Sequence, residues 1–195
     1  MDKIFTEVLI APEFSDEALA LLKKKKSRRL LRFHPSRVDR SEREVRRVFG
    51  GLLLQDADLA SEEVATCRVA TQRKPDDREL AALDFSWKLV KHVKSNAIVF
   101  AAADRTLAVG GGATSRVDAI LQAKEKAARV GLDLAGSVVA SDAFFPFPDG
   151  LEAAAAAGAV AFVQPGGSVR DDAVTEAADR LGATMVFTGI RHFRH

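Results

Sequence analysis

The sequence predicts a layered α/β domain with a mostly buried sheet. Three observations carry that reading. From residue 75 onward, helical periodicity alternates with short apolar runs. Those runs, Ala97–Ala101, Val138–Ala140, Val160–Val163 and Thr184–Phe187, lack a polar face, as expected of strands covered on both sides. Glycine or proline turns separate many of these runs from the following helix, with Ser, Thr or Asp in capping position.

The elements follow in order. Residues 2–10 read as the end of a helix leading into an apolar strand, Val8–Ile10. Ser15 and Glu17 open a helix reaching about Lys24, and Arg29–Phe33 forms a strand. His34–Arg43 is polar and reads as a loop. Val48–Gln55 is apolar around Gly50-Gly51, which suits a bulged strand or a hairpin arm, and Val64–Thr71 is a further strand candidate. Pro75 and Asp76 start a stronger helix, with Leu80, Leu83, Trp87 and Val90 on one face and cations near His92–Lys94. Thr106–Val109 reads as another strand. Thr114 or Ser115 then caps a helix with Val117, Ile120 and Leu121 as its apolar positions. Asp149 caps a helix to about Ala157, and the last helix carries Val174, Ala177, Ala178 and Leu181. Residues 1–75 are less regular and read as a linking extension; residues 76–195 read as the main unit.

Composition narrows the function classes. No apolar run reaches the roughly 18 residues that span a bilayer, and Met1–Ile10 lacks a cleavable signal pattern, so a cytoplasmic protein with no membrane partner is expected. Cys67 is the only cysteine, which rules out an intrachain disulfide and reads as a buried thiol. Residues 1–94 hold 20 Lys+Arg against 16 Asp+Glu, and residues 95–195 hold 9 against 11. The basic excess reads as helix ends and a solvated face, so no nucleic-acid partner is expected. There is no H-x-E with a later P-C-x-x-C, hence no zinc-deaminase centre, and no H-E-x-x-H or G-x-S-x-G; no metal is expected.

Three loops hold the candidate chemistry. Gly110–Arg116 and Pro165–Arg170 each place glycines, then Ser/Thr, ahead of a helix. Such a helix start either takes an anion on its free N–H groups, aided in the first case by Arg116, or is simply a tight turn. Ser141–Gly150 sets three phenylalanines among two prolines. They either form a flat wall for a planar ring or plug the core, and Asp149 either holds a heterocycle's N–H groups or caps a helix. Lys91-His92 sits at a helix-to-strand junction beside Asn96, with no carboxylate or nucleophile next to it in sequence, and reads as structural. Arg191–His195 either closes over an anion or frays.

The strings KHVKSNAIVF, SRVD, SDAFFPF, QPGGSVRD and MVFTGIRHFRH, in this order, resemble the carboxy-terminal half of the AICAR transformylase family, in which transformylase is fused to IMP cyclohydrolase. IFTEVLIAP, EALALLKKKK and GGLLLQD resemble the same family's middle region, so the likeness covers essentially the whole chain. It implies a zinc-free cytidine-deaminase-like α/β unit, the second of two. The implied activity is formyl transfer from 10-formyltetrahydrofolate to AICAR at a dimer interface. It implies that Asn96, Phe144 and Arg191 bind AICAR, and that Arg116, Asp149, Ser168 and Val169 bind the folate.

The departures from the family pattern shape the expectation. Gly110-Gly111-Gly112-Ala113-Thr114 stands where the family reads G-A-G-Q before its serine and arginine, so the glutamine is lost, and Pro148 replaces an arginine. The family's catalytic Lys-His pair, in a string like K-H-x-N-P-x-G, has no counterpart, so no catalytic residue is assigned. The chain reads as a truncated gene, an excised piece or half of a split enzyme. It would work as a homodimer or with a partner chain carrying the first unit. Otherwise it is a catalytically silent binding or self-associating module, or a new enzyme using His92 or His192 as base.

Overall fold

The structure is a computed structural model that describes residues 5–34 and 43–194. It divides into two compact units, Met1–Leu59 and Ala60–His195.

The first unit is built on β1 (Val8–Ala11), α1 (Asp16–Leu22) and β2 (Arg29–Arg32), with β1 and β2 paired in parallel. Ser15 caps α1, its side chain accepting from the Ala18 N–H at 3.2 Å. β3 (Arg43–Val48) and β4 (Gly51–Asp56) form an antiparallel hairpin turning at Phe49-Gly50. The hairpin reading of the Gly50-Gly51 region therefore holds. Gly50 has φ +80°, a backbone state that glycine reaches without a steric penalty. The expected helix end before β1 is absent from the described Phe5 and Thr6. Most of the loop expected over His34–Arg43 lies outside the described residues.

In the second unit, Val64–Thr71 is not one strand. A 3-10 turn at Val64–Thr66 precedes a two-residue β5 (Arg68–Val69). α2 (Asp77–Val90) begins at a capping box: Asp76 accepts from the Glu79 N–H, and Glu79 from the Asp76 N–H. Then follow β6 (Ile98–Ala102), β7 (Arg105–Gly110), α3 (Arg116–Arg129), β8 (Ser137–Ser141), α4 (Pro148–Ala156), β9 (Ala159–Gln164), α5 (Asp171–Arg180) and β10 (Thr184–Phe187).

The six-stranded sheet runs β5-β10-β9-β8-β6-β7, with β8, β9 and β10 parallel and the remaining pairs antiparallel. Successive residues of each central strand feed opposite cores, because side chains alternate across a strand. Ile98, Phe100, Val139, Phe162 and Met185 enter the core with α3, α4 and α5. Val99, Val138, Ala140, Val163 and Val186 enter the core with α2. Burial on both faces is why these strands read as continuous apolar runs. Leu83, Trp87 and Val90 are buried as expected, whereas Leu121 and Leu181 lie on the exposed sides of α3 and α5. Cys67 is half-buried rather than enclosed.

Candidate functional site

The parallel strands deliver their carboxyl ends to one edge, where β8 runs into the phenylalanine loop, β9 into the glycine turn and β10 into the tail. Open α/β sheets place ligands at this kind of edge. Asn96 joins them from the antiparallel β6, since the Asp142 N–H donates to the Ala97 carbonyl at 3.3 Å. Both the Asn96 amide N–H and its Nδ2 donate to the Ala113 carbonyl, at 3.2 and 3.0 Å, tying the α2–β6 junction to the glycine loop.

Gly110 and Gly111 have a packing reason of their own. A Cβ on Gly110 would lie 1.8 Å from the Ala119 carbonyl oxygen, and one on Gly111 would lie 2.4 Å from Val93 Cγ1. Glycine is required there for close packing of β7 on α3 and of the loop on the α2 end. The α3 N-terminus carries a side-chain cap. Ser115 Oγ accepts from the Asp118 N–H, and the Thr114 and Ser115 hydroxyls donate to the Asp118 carboxylate. These bonds hold the Asp118 carboxyl below its ordinary pKa. At α5, Asp171 accepts from the Gly167 and Ser168 N–H groups at 2.7 and 3.2 Å. At α5 an aspartate of the helix's own first turn thus takes N–H groups that an external anion was one expectation for.

Arg116 is not exposed, as a first-turn residue would ordinarily be. Its side chain is 13% exposed, and it folds inward toward the fully buried Asp142, with Nη2 3.4 Å from Oδ1. Arg116 Nε also donates to Ser141 Oγ and the Ala143 carbonyl, each at 3.2 Å. Burial pulls the guanidinium pKa down, Asp142 opposes that pull, and nearby Arg191 adds to it. An acid inside the apolar run VVASDAFF must be paired. That rule makes Asp142 recognisable in the sequence, although not its partner.

The three phenylalanines divide the two roles between them. Phe145 is fully buried, its N–H donating to buried Gln164 Oε1 at 2.7 Å, and its ring meets Phe162 edge-on. Phe147 is 48% exposed under the Arg170 guanidinium, 4.8 Å from its centroid. Phe144 is half-buried under Arg191, whose guanidinium lies 5.0 Å from its centroid. Asp149 is not the helix cap. Phe147 holds that position and Pro148 begins α4, so Asp149 lies in the first turn, accepting from the Gly150 N–H.

A cleft of about 420 Å³ opens between α3 and this loop, lined by Arg116, Val117, Phe145, Pro146, Phe147 and Asp149 among others. That volume, with apolar walls and a few charges, suits a planar ring system. The cleft brings together Arg116 and Asp149. Arg191 and Phe144 form a second station, joined to the first through Asp142, whose carbonyl accepts from the His192 N–H at 2.9 Å. Ser168 and Val169 do not line the cleft; their turn reaches it through Arg170 over Phe147. Among the described residues, no group of three or more His, Cys, Asp or Glu is placed to hold a metal ion, and no helix is long and apolar enough to cross a membrane.

The sequence model of the AICARFT/IMPCHase bienzyme family matches residues 1–126. The chain belongs to that family. It is 57% identical over 195 residues to the bifunctional purine biosynthesis protein PurH of Chloroflexus aurantiacus, covering all of this chain and 38% of that protein. It is 52% identical over 202 residues to the PurH of Magnetococcus marinus, covering 99% of this chain and 38% of that protein. It is 50% identical over 195 residues to the PurH of Chlorobaculum parvum, covering all of this chain and 37% of that protein. The chain thus spans well under half the length of these AICARFT/IMPCHase relatives. Its glycine loop, cleft and tail are the shape this stretch takes here.

Proposed function

We propose that this chain forms the substrate-binding face of an AICAR formyltransferase. The reaction passes a formyl group from 10-formyltetrahydrofolate to the 5-amino group of AICAR in purine synthesis. The observation that carries the reading is the aromatic cleft with Arg116 and Asp149 at its mouth, coupled through Asp142 to Arg191 over Phe144. A pterin fits the cleft: Phe147 and Pro146 give it a flat wall, and the Asp149 carboxylate accepts N–H donors. Ser168 and Val169 border the folate further out. Asn96, Phe144 and Arg191 face the nucleotide. The folate supplies the formyl group; the chain's residues bind, orient and exclude water. The layered unit is a zinc-free cytidine-deaminase-like one, read from residue 76, with β5 added at its edge.

The acid–base pair comes from outside this chain. Lys91 is bonded to the Ala60 carbonyl at 2.7 Å, and His92 is exposed at the helix end. The partner is a second copy or a polypeptide carrying the family's first transformylase unit, acting in the cytoplasm. In support, the first unit leaves apolar side chains open: Ile10 is 63% exposed and Leu52 70%. The same observations favour a second reading, a silent binding module, wherever no such partner is present.

The test measures formyl transfer with the chain alone, then with the part of the Chloroflexus relative it does not cover. Activity only in the mixture supports the reading. Activity of the chain alone overturns the external pair, and activity in neither supports the silent module.

A further inference from the structure

The tail after β10 has neither helix nor strand from Thr188 to Arg194, yet its path is fixed at several points. Thr188 and Gly189 donate to the Gln164 and Pro165 carbonyls at 3.0 and 2.9 Å. Ser95 and Arg194 exchange two hydrogen bonds, Ser95 N–H to the Arg194 carbonyl and Arg194 N–H to Ser95 Oγ. Between these ties a single side chain goes inside. His192 is 1% exposed, while Arg191, Phe193 and Arg194 on either side are all exposed.

The seat of His192 is built by two elements. Its ring lies 4.6 Å from the Trp87 ring of α2, tilted by 54°. Its Nε2 lies 3.5 Å from Glu62 Oε2, the same oxygen that accepts from Trp87 Nε1 at 3.0 Å. Its own N–H donates to the carbonyl of Asp142, the residue that holds Arg116. An imidazole suits this seat because it offers a flat face to the indole and a polar edge to the carboxylate. Successive side chains of an extended segment point to opposite sides, so burying His192 turns Arg191 outward, toward Phe144.

We propose that His192 is a positioning residue: docked between Trp87 and Glu62, its ring sets the strap so that Arg191 stands over Phe144. What Arg191 binds rests on the function proposed above; the docking of the strap does not. The two claims therefore fail separately.

Trp87 is the only tryptophan and the chain has no tyrosine, so the emission comes from Trp87 alone and responds to loss of the His192 ring against it. The experiment compares the full chain with His192→Ala, His192→Leu and His192→Gln. It records Trp87 emission, tryptic cleavage after Arg191, and cleavage within residues 60–180 as a control. For His192→Ala we expect brighter, red-shifted emission and about tenfold faster cleavage after Arg191, with the control sites unchanged. His192→Gln, which keeps a polar edge toward Glu62, restores part of the protection; His192→Leu, which fills the space with an apolar edge, restores less. Unchanged emission and cleavage in His192→Ala overturn the proposal. So does full protection in His192→Leu, or equal acceleration at the control sites, which marks a general loss of stability. In a parallel arm, AICAR is titrated into each form. Weaker binding by His192→Ala extends the role to Arg191. Absence of binding even by the unaltered chain counts against the nucleotide reading and leaves the strap result standing.

Discussion

At the scale of single residues, the Arg116–Asp142 pair changes what a substitution reports. Arg116→Ala removes a folate-facing guanidinium on the proposed function, but it also leaves a fully buried carboxylate without its cation. Breaking such a pair costs about 3 kcal/mol. We expect urea denaturation of Arg116→Ala to show a loss of that size, and Arg116→Lys to recover part of it. An unchanged midpoint would mean that the carboxylate relaxes into solvent. Folate affinity is therefore better tested at Asp149, which is exposed and has only a local backbone partner. Asp149→Asn should weaken folate binding about tenfold at unchanged stability, as read by calorimetry. Cys67 gives a third expectation. Burial first, then Glu62 and Asp84, push its thiol pKa up, so little thiolate forms near neutrality. Alkylation by iodoacetamide at pH 7.5 should run several-fold slower than that of free glutathione.

At the scale of elements, the sequence disclosed most where one physical rule acts alone. α2 announced itself through Asp76 and the Leu80–Leu83–Trp87–Val90 face: Asp76 is the cap and the last three are buried, Leu80 half-buried, while the part of Glu79 in the cap shows only in the structure. The central strands were visible as apolar runs because both faces are covered. Val64–Thr71 misled because its apolar residues belong to a 3-10 turn and a two-residue edge strand, which share the composition of a strand but not its length. The glycine loops stayed open in the sequence for another reason. Glycine permits ligand approach and close packing of elements equally, and only the 1.8 Å approach to Ala119 separates the two. Likewise nothing local to Arg116 in the sequence points to Asp142, 26 residues away. At the α3 start, the hydroxyls of Thr114 and Ser115 favour the ionised Asp118 carboxylate. Its folded pKa lies below the unfolded one, so the contribution is present above the unfolded pKa and is lost as pH falls through the folded value. We expect Asp118→Asn to flatten the melting temperature of the chain against pH below about 4, with little change at pH 7. An identical acid limb in the two proteins would remove Asp118 from the account.

At the scale of the whole molecule, the two units differ in how completely they cover their own apolar side chains. Ala60–His195 has two cores, one on each face of a six-stranded sheet, and fully buries Trp87, Phe100, Phe145 and Phe162. Within Met1–Leu59, Leu22 is the one buried hydrophobic residue among those described. The β1–β2 pair exposes Val8, Ile10 and Leu31, and Leu52-Leu53-Leu54 places leucines on both faces of the β3–β4 hairpin, all of them exposed. A two-stranded sheet is marginal by itself, and an open apolar strand invites another chain. The larger unit holds two cores of its own and should therefore fold by itself, whereas association should depend on the open strands of the smaller one. Residues 60–195 alone are expected to melt cooperatively within about 5 °C of the full chain, the shift that about 1 kcal/mol produces in a domain of this size. The full chain should sediment as concentration-dependent larger species, and residues 60–195 should not. Ile10→Lys combined with Leu53→Lys should reduce association of the full chain without lowering its melting temperature, because both side chains already face water. Association persisting undiminished in residues 60–195 would move the sticky surface to the larger unit, where the exposed Phe147 and Val169 beside the cleft become the place to look.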